Sequence, residues 1–269
     1  PGYFKWCGTL HPHGVLRNAM EREALFIKKM EETADNAYQR GIVSFSDFLD
    51  LYEQHLLQRI DWQSRGVSLR LFGGYDAAER RMAAFCPQDL RYSWEYPFSC
   101  LRIRMSAPRY SRPLTHRDYL GAALGLGIAR RVIGDILTGE GEAFLFCETG
   151  MAEFLKTELT SVGRAAVAVS VCENPRDIPP PKEEEITGTV ASVRLDAVIA
   201  LAFRASRNSL TALTEAGKVF VNGRMITSNS LILNPGDLIS VRGMGKFRFD
   251  QILSGTKKGR HLIRVYRYV

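Results

Sequence analysis

The chain has no long hydrophobic run. Its longest apolar stretches, 165–169 and 197–203, fall far short of the ~18 residues a membrane span requires, so no span is expected. The first residues lack a basic start followed by an apolar core, so no secretory leader is expected. Pro1 in place of Met points to a fragment or processed form, and residues 1–14 carry no periodicity. Cysteine is scarce: Cys7, Cys86, Cys100, Cys147 and Cys172 are odd in number and no two form a CxxC. That excludes a disulfide scaffold or zinc ribbon and leaves reduced, mostly buried thiols. His11-Pro12-His13 is a ligand pair without a third ligand, so neither metal nor cofactor is expected. Internal repeats and long low-complexity tracts are absent. Whole-chain disorder is excluded by 45% hydrophobic against 24% charged residues.

Acidic residues are scarce in the C-terminal third. Residues 190–269 hold 13 basic residues against four acids, an excess of +9, larger than the +7 of the whole 269-residue chain. Such asymmetry points to one module facing a polyanion on an otherwise ordinary globular protein.

Three zones follow. In 21–95, Ala24, Ile27, Met30, Ala34 and Ala37 share one helix face, and Gly41 can stop that helix. Ser44 with Asp47 reads as the capped start of a second helix with Leu49, Tyr52, Leu56 and Ile60 inward. A strand over 68–72 and a helix through 77–85 are then expected. In 96–173, a strand at 98–105 is followed by a helix capped by Thr115 and Asp118, strands at 132–137 and 143–147, a helix through Met151, Leu155, Leu159 and Val162, and a strand at 165–171. That order is βαββαβ, a ferredoxin-like plait of the RRM kind. Residues 174–188, with Pro179-Pro180-Pro181 and Glu183-Glu184-Glu185, read as a semi-rigid linker. The last zone, 189–269, opens with two short helices. The expected class is α+β: a helical or αβ front region, a central plait and a C-terminal module with a basic extension.

That module carries an ordered set of pieces: Arg194-Leu195-Asp196, Ser206-Arg207, 217–223 (GKVFVNG), 235–239 (PGDLI) and Arg242-Gly243. Asn222-Gly223 between apolar alternations is a hairpin turn. Taken in order, the pieces resemble the S4 RNA-binding domain (αL type). The resemblance implies RNA contact through Arg207, Asn208, Lys218, Asn222 and Arg224. Arg194, Arg204, Ser206, Arg242 and Lys246 complete the candidate surface. A helix start at Ser206 offers free N–H groups to phosphate, and arginine forks can engage it bidentately. Leu195, Val219 and Val221 read as core. Asp196 reads as a helix-start charge or an arginine's partner, and Gly236-Asp237 as turn chemistry.

Two further blocks precede the module. One is Gly73-Gly74-Tyr75 with Ala78-Glu79-Arg80-Arg81. The other is 116–121 (HRDYLG), 126–128 (LGI) and 133–136 (IGDI). With the plait and the S4 pieces they resemble the YlmH-type S4 proteins. That resemblance implies bacterial proteins, with plastid relatives, associated with the large ribosomal subunit. It implies rescue of stalled subunits carrying peptidyl-tRNA, with the S4 module on rRNA and tRNA, in the cytoplasm or in a plastid. A link to cell division is also attached to that family. The protein is expected to be a monomer.

A second basic stretch, 91–131, holds eight arginines against Glu95 and Asp118. Arg102, Arg104, Arg109, Tyr110, Arg112, Arg130 and Arg131 form a candidate second RNA surface, with Tyr110 available for stacking. A solvated loop at 106–113 fits that stretch equally. Three enzyme readings fail on their motifs. Arg194-Leu195-Asp196 lacks the downstream context of pseudouridine synthases. His11-Pro12-His13-Gly14 only echoes a synthetase ATP motif, and no methyltransferase glycine turn follows a strand. The reading is a non-catalytic RNA-binding protein. An RNA-modifying enzyme with an S4 delivery domain is the alternative, and a docking scaffold is the third class.

Overall fold

The structure, a computed structural model, describes residues 12–107, 112–172, 178–180, 183–255 and 259–268, without the side chains of 12–19 and 207–209. Helix α1 (Pro12–Arg40) buries Met30, Ala34 and Ala37 of the face its spacing predicts, while Ile27 is half-buried and Ala24 exposed. It packs on an antiparallel sheet ordered β1-β3-β2, from β1 (Ser44–Leu49), β2 (Val67–Phe72) and β3 (Arg81–Pro87).

Two expectations fail here. The second helix does not start at Ser44: residues 44–49 pair with β3, and α2 (Leu51–Gln58) starts behind them. Its capping box is Asp50 with Glu53, not Ser44 with Asp47. The expected helix over 77–85 is instead a turn that leads into strand β3. It is the central strand, and Met82, Ala83, Ala84, Phe85 and Cys86 are all buried. A strand covered on both faces loses its alternation, so periodicity could not separate it from a helix.

The plait is β4 (Phe98–Met105), α3 (His116–Gly125), β5 (Ile133–Thr138), β6 (Glu142–Glu148), α4 (Thr149–Glu158) and β8 (Ala165–Val171). Its sheet runs β5-β6-β4-β8, extended by the two-residue β7 (Ser161–Val162). The βαββαβ order therefore holds. Helix α4 ends earlier than expected; Val162 lies in β7, and Gly163 turns the chain at φ +59°. Leu101, Ile103, Leu145, Tyr119 and Leu155 fill the layer between sheet and helices.

The C-terminal module stacks α5 (Leu195–Phe203) and α6 (Arg207–Glu215) on a sheet ordered β11-β10-β12-β13-β14-β9. Its strands are β9 (Glu183–Val190), β10 (Val219–Val221), β11 (Arg224–Met225), β12 (Leu238–Val241), β13 (Gly245–Gly255) and β14 (His261–Tyr268). Leu195, Val198, Val219, Phe247, Phe249, Ile263 and Val265 make the core. The linker expectation needs correction: 183–190 is an edge strand paired with β14 over its full length. Cross-strand partners turn this acidic segment into sheet. Its three glutamates lower the module's excess from nine to six.

Candidate RNA-binding surfaces

The sheet sorts the module's basic residues into two groups. On β13 and β14 the cations meet acids. Arg248 reaches Glu183 at 3.7 Å and Asp250 at 3.4 Å, Arg264 reaches Asp250 at 2.7 Å, and Arg267 pairs with Glu184. Arg248 and Arg264 also lie over the Tyr266 ring, at 4.9 and 5.6 Å. Lys246 pairs with Glu79 of the front domain. Arg194 holds Asp196 at 3.2 Å, so the acid of the Arg-Leu-Asp triplet is an arginine's partner. Arg204, Lys218, Arg224 and Arg242 are exposed and make no ion pair among the described residues.

These unpaired cations surround the α5–α6 turn and the β10–β11 hairpin. Arg204 ends α5 in the left-handed region at φ +52°. Gly217, at φ +64°, stops α6 and delivers Lys218, whose backbone N–H donates to the Leu213 carbonyl. The Arg242 backbone N–H donates to the Lys218 carbonyl at 2.9 Å, so the two residues are neighbours. The Arg242 guanidinium lies 4.8 Å over Phe220. Ser206 immediately precedes α6 and is exposed. The side chains of Arg207 and Asn208 lie outside the described residues; their backbone forms the first turn of α6.

Asn222 and Gly223 make the predicted turn at φ +48° and +76°. The Asn222 side chain is committed inside the module: Nδ2 donates to Asp237 Oδ1 at 2.8 Å, and Leu238 N–H donates to its Oδ1 at 3.0 Å. Asp237 also accepts from Asn234 N–H, so 234–237 is a turn stitched to the hairpin. The hairpin leans on the front domain, where a Cβ on Gly223 would lie 2.6 Å from the Tyr52 backbone nitrogen.

The second arginine set is more engaged. Arg102 and Arg104 leave the plait on the face away from its helices, and both reach Glu142, at 2.8 and 3.6 Å. Arg112 clamps Asp118 at 2.6 and 3.2 Å, and that contact, with Thr115, holds the Asp118 carboxyl well below the usual carboxylate range. Arg130 turns inward onto the Ile133 and Gly134 carbonyls, and burial with neighbouring Arg80 pulls its pKa down to about 10. Arg131 stays exposed, 3.9 Å from Asp47. Arg109 and Tyr110 lie outside the described residues.

An RRM-type plait stacks bases on aromatic rings of its open sheet face. Here those positions are filled from within. Arg102 lies 5.5 Å over Phe144. Tyr75 stacks on Phe146 at 5.6 Å with 28° between the planes. The two front motifs thus meet in space. Asp135 accepts from Tyr75 Oη at 2.8 Å, Glu79 N–H at 2.7 Å and Arg80 N–H at 3.1 Å. Arg80 donates to the Ile133 and Phe48 carbonyls at 2.9 and 2.6 Å. Burial and Asp135 push the Tyr75 phenol far above its ordinary pKa. Glycine is required at Gly134, where a Cβ would meet Phe48 at 2.7 Å and Phe146 at 2.9 Å. These motif residues bind the front domain to the plait.

Comparison with known proteins places this architecture. Residues 95–175 match the family described as "Putative RNA-binding domain in YlmH", and residues 193–239 match the S4 domain. The chain is 32% identical over 246 residues to "Ribosome-associated protein quality control protein P2" of Bacillus subtilis (strain 168), across 91% of this chain and 95% of that one. The chain belongs to the YlmH family of RNA-binding, ribosome-associated quality-control proteins. Among solved structures, "Cell division protein ylmH from Streptococcus pneumoniae" overlays 66% of this chain and all of its own, at 19% identity and a TM-score of 0.45.

Within this YlmH-family chain the S4 match spans α5, α6, β10, β11 and the start of β12, the region holding Arg204, Lys218 and Arg224. One feature escaped the sequence reading. Residues 92–98 (YSWEYPF) join Phe72 in an aromatic cluster along the seam between front domain and plait. Its aromatic density was the available signal, but only the fold brings Phe72 to it. No helix of the described residues is long and apolar enough to cross a membrane.

Proposed function

We propose that the S4 module binds rRNA of the large ribosomal subunit, together with tRNA, through Arg204, Arg207, Lys218, Arg224 and Arg242. The protein acts there in the rescue of stalled subunits that carry peptidyl-tRNA, as a cytoplasmic monomer without chemistry of its own. The observation that carries this reading is the sorting of charge. Arg204, Lys218, Arg224 and Arg242, on the α5–α6 and β10–β11 side, make no ion pair among the described residues, while the arginines on β13 and β14 are neutralised by β9 and Asp250. Unpaired cations around a helix start are what phosphate recognition needs. The name of the Bacillus subtilis relative supplies the ribosomal setting. Asn222, Arg194 and Lys246 shape or anchor that face; Arg104, Arg112 and Arg131 are the exposed members of the second set among the described residues.

The test is co-sedimentation with purified ribosomal subunits over a salt series. An Arg207→Ala/Lys218→Ala variant loses affinity and shows a shallower salt dependence; unchanged binding would overturn the assignment. For the absence of chemistry, mass analysis of rRNA and tRNA from cells with and without the gene gives identical modification profiles. One modification missing from the deletion would favour an RNA-modifying enzyme.

A further inference from the structure

A groove of about 1350 Å³ runs along the seam between the front domain and the plait, and no residue of the S4 module lines it. Its wall is one face of β2, where Ser68, Arg70 and Phe72 alternate outward while Val67 is buried. Residues 90–97 cross beside it, pinned by Tyr92, whose oxygen accepts from Val43 N–H at 2.9 Å. Trp94, Tyr96, Phe98 and Phe72 follow one another with ring centroids 5.1 to 5.9 Å apart. Phe72 is 37% exposed, although it is large and apolar. Arg70 lies 5.9 Å over Trp94, is exposed, and has no ion pair among the described residues. Glu95 is the sole acid of the lining.

We propose that this groove binds a short single-stranded RNA segment, with bases stacked on Phe72 and the Trp94–Tyr96 rings and Arg70 on a phosphate. Three observations favour RNA. Ring faces are sequence-tolerant platforms for bases, and an arginine beside them supplies the backbone contact. The unpaired Arg70 selects an anionic partner over a neutral one. The volume exceeds the ~300–1000 Å³ of a single small-ligand site, which suits several linked nucleotides. The plait's own platform is closed by Tyr75 and Arg102, so the groove carries on that role at its edge. The inference is independent of the S4 assignment, because no residue is shared.

The test uses the full chain and a labelled hexanucleotide of uridine, with ultraviolet crosslinking and anisotropy. An Arg204→Ala/Arg207→Ala/Lys218→Ala/Arg224→Ala/Arg242→Ala background silences the S4 face, so failure of either surface is read separately. Crosslinks are expected in 68–72 and 92–98 in both backgrounds. Phe72→Leu keeps an apolar side chain but loses the ring face. It is expected to weaken binding about tenfold while far-UV circular dichroism stays unchanged. Arg70→Ala is expected to reduce the salt slope by about 1. Crosslinks confined to 193–246 would overturn the proposal, as would full affinity in Phe72→Leu. Binding of a proline-rich peptide to the groove with no RNA crosslink there would overturn it as well.

Discussion

Asp135 offers the sharpest test of how the front domain is held to the plait. Its two oxygens accept from Tyr75 Oη, Glu79 N–H and Arg80 N–H, at 2.7 to 3.1 Å. In Asp135→Ala all three donors lose their acceptor inside the seam. An unsatisfied buried donor costs about 1–3 kcal/mol. Water entering the half-buried seam limits the upper end, so the expected loss is about 3–5 kcal/mol. In Asp135→Asn the oxygen can stay towards Tyr75 and Glu79, and the amide nitrogen then faces only Arg80 N–H. That loss is about 1–2 kcal/mol. Tyr75→Phe removes one hydroxyl and costs about 1 kcal/mol. The assay is urea unfolding of the full chain followed by the fluorescence of Trp62, which is buried in the front domain. The order Ala, then Asn, then Phe is required. If Asp135→Ala costs no more than Asp135→Asn, the three-donor network does not hold the seam.

Two further outcomes follow from the geometry. Gly223→Ala places a Cβ 2.6 Å from the Tyr52 backbone nitrogen at a residue with φ +76°; it should cost about 1–3 kcal/mol and raise hydrogen exchange in both the β10–β11 hairpin and α2. The Asp118 carboxyl is held below its ordinary value of 3.8 by Arg112 and Thr115. Its stabilisation of the α3 start is therefore full above pH 3.8 and is lost as the pH falls through the lowered value. Acid unfolding followed by α3 exchange should lose that component in Asp118→Asn, and an identical acid profile in the variant would remove the assignment.

The legible parts of the sequence were those governed by local chemistry. Asn222-Gly223 specified its turn because both residues must take positive φ. Thr115 and Asp118 specified a helix start by reciprocal hydrogen bonds. The plait was readable because Leu101, Ile103 and Met105 alternate on a strand covered on one side. Strand β3 was not, since burial on both faces erases alternation. Residues 183–190 looked like linker because Glu183-Glu184-Glu185 gives no hint of its partners, Arg248 and Arg267, which lie more than 60 residues away. The same blindness affected the site. Net charge counted every cation alike, whereas the fold neutralises Arg248, Arg264 and Arg267 and leaves Arg204, Lys218, Arg224 and Arg242 without an ion pair among the described residues.

That sorting is the central claim, and one measurement addresses it directly. Two variants remove similar numbers of positive charges: Arg204→Ala/Lys218→Ala/Arg224→Ala/Arg242→Ala on one side, and Arg248→Ala/Arg264→Ala/Arg267→Ala on the other. Affinity for the large ribosomal subunit is measured against salt for each. The account predicts that the first variant loses about 2–4 units of the slope of log K against log salt, as expected for that many phosphate contacts, while the second keeps the full slope. Equal loss in both variants would contradict it, because binding would then follow total charge and not the unpaired face.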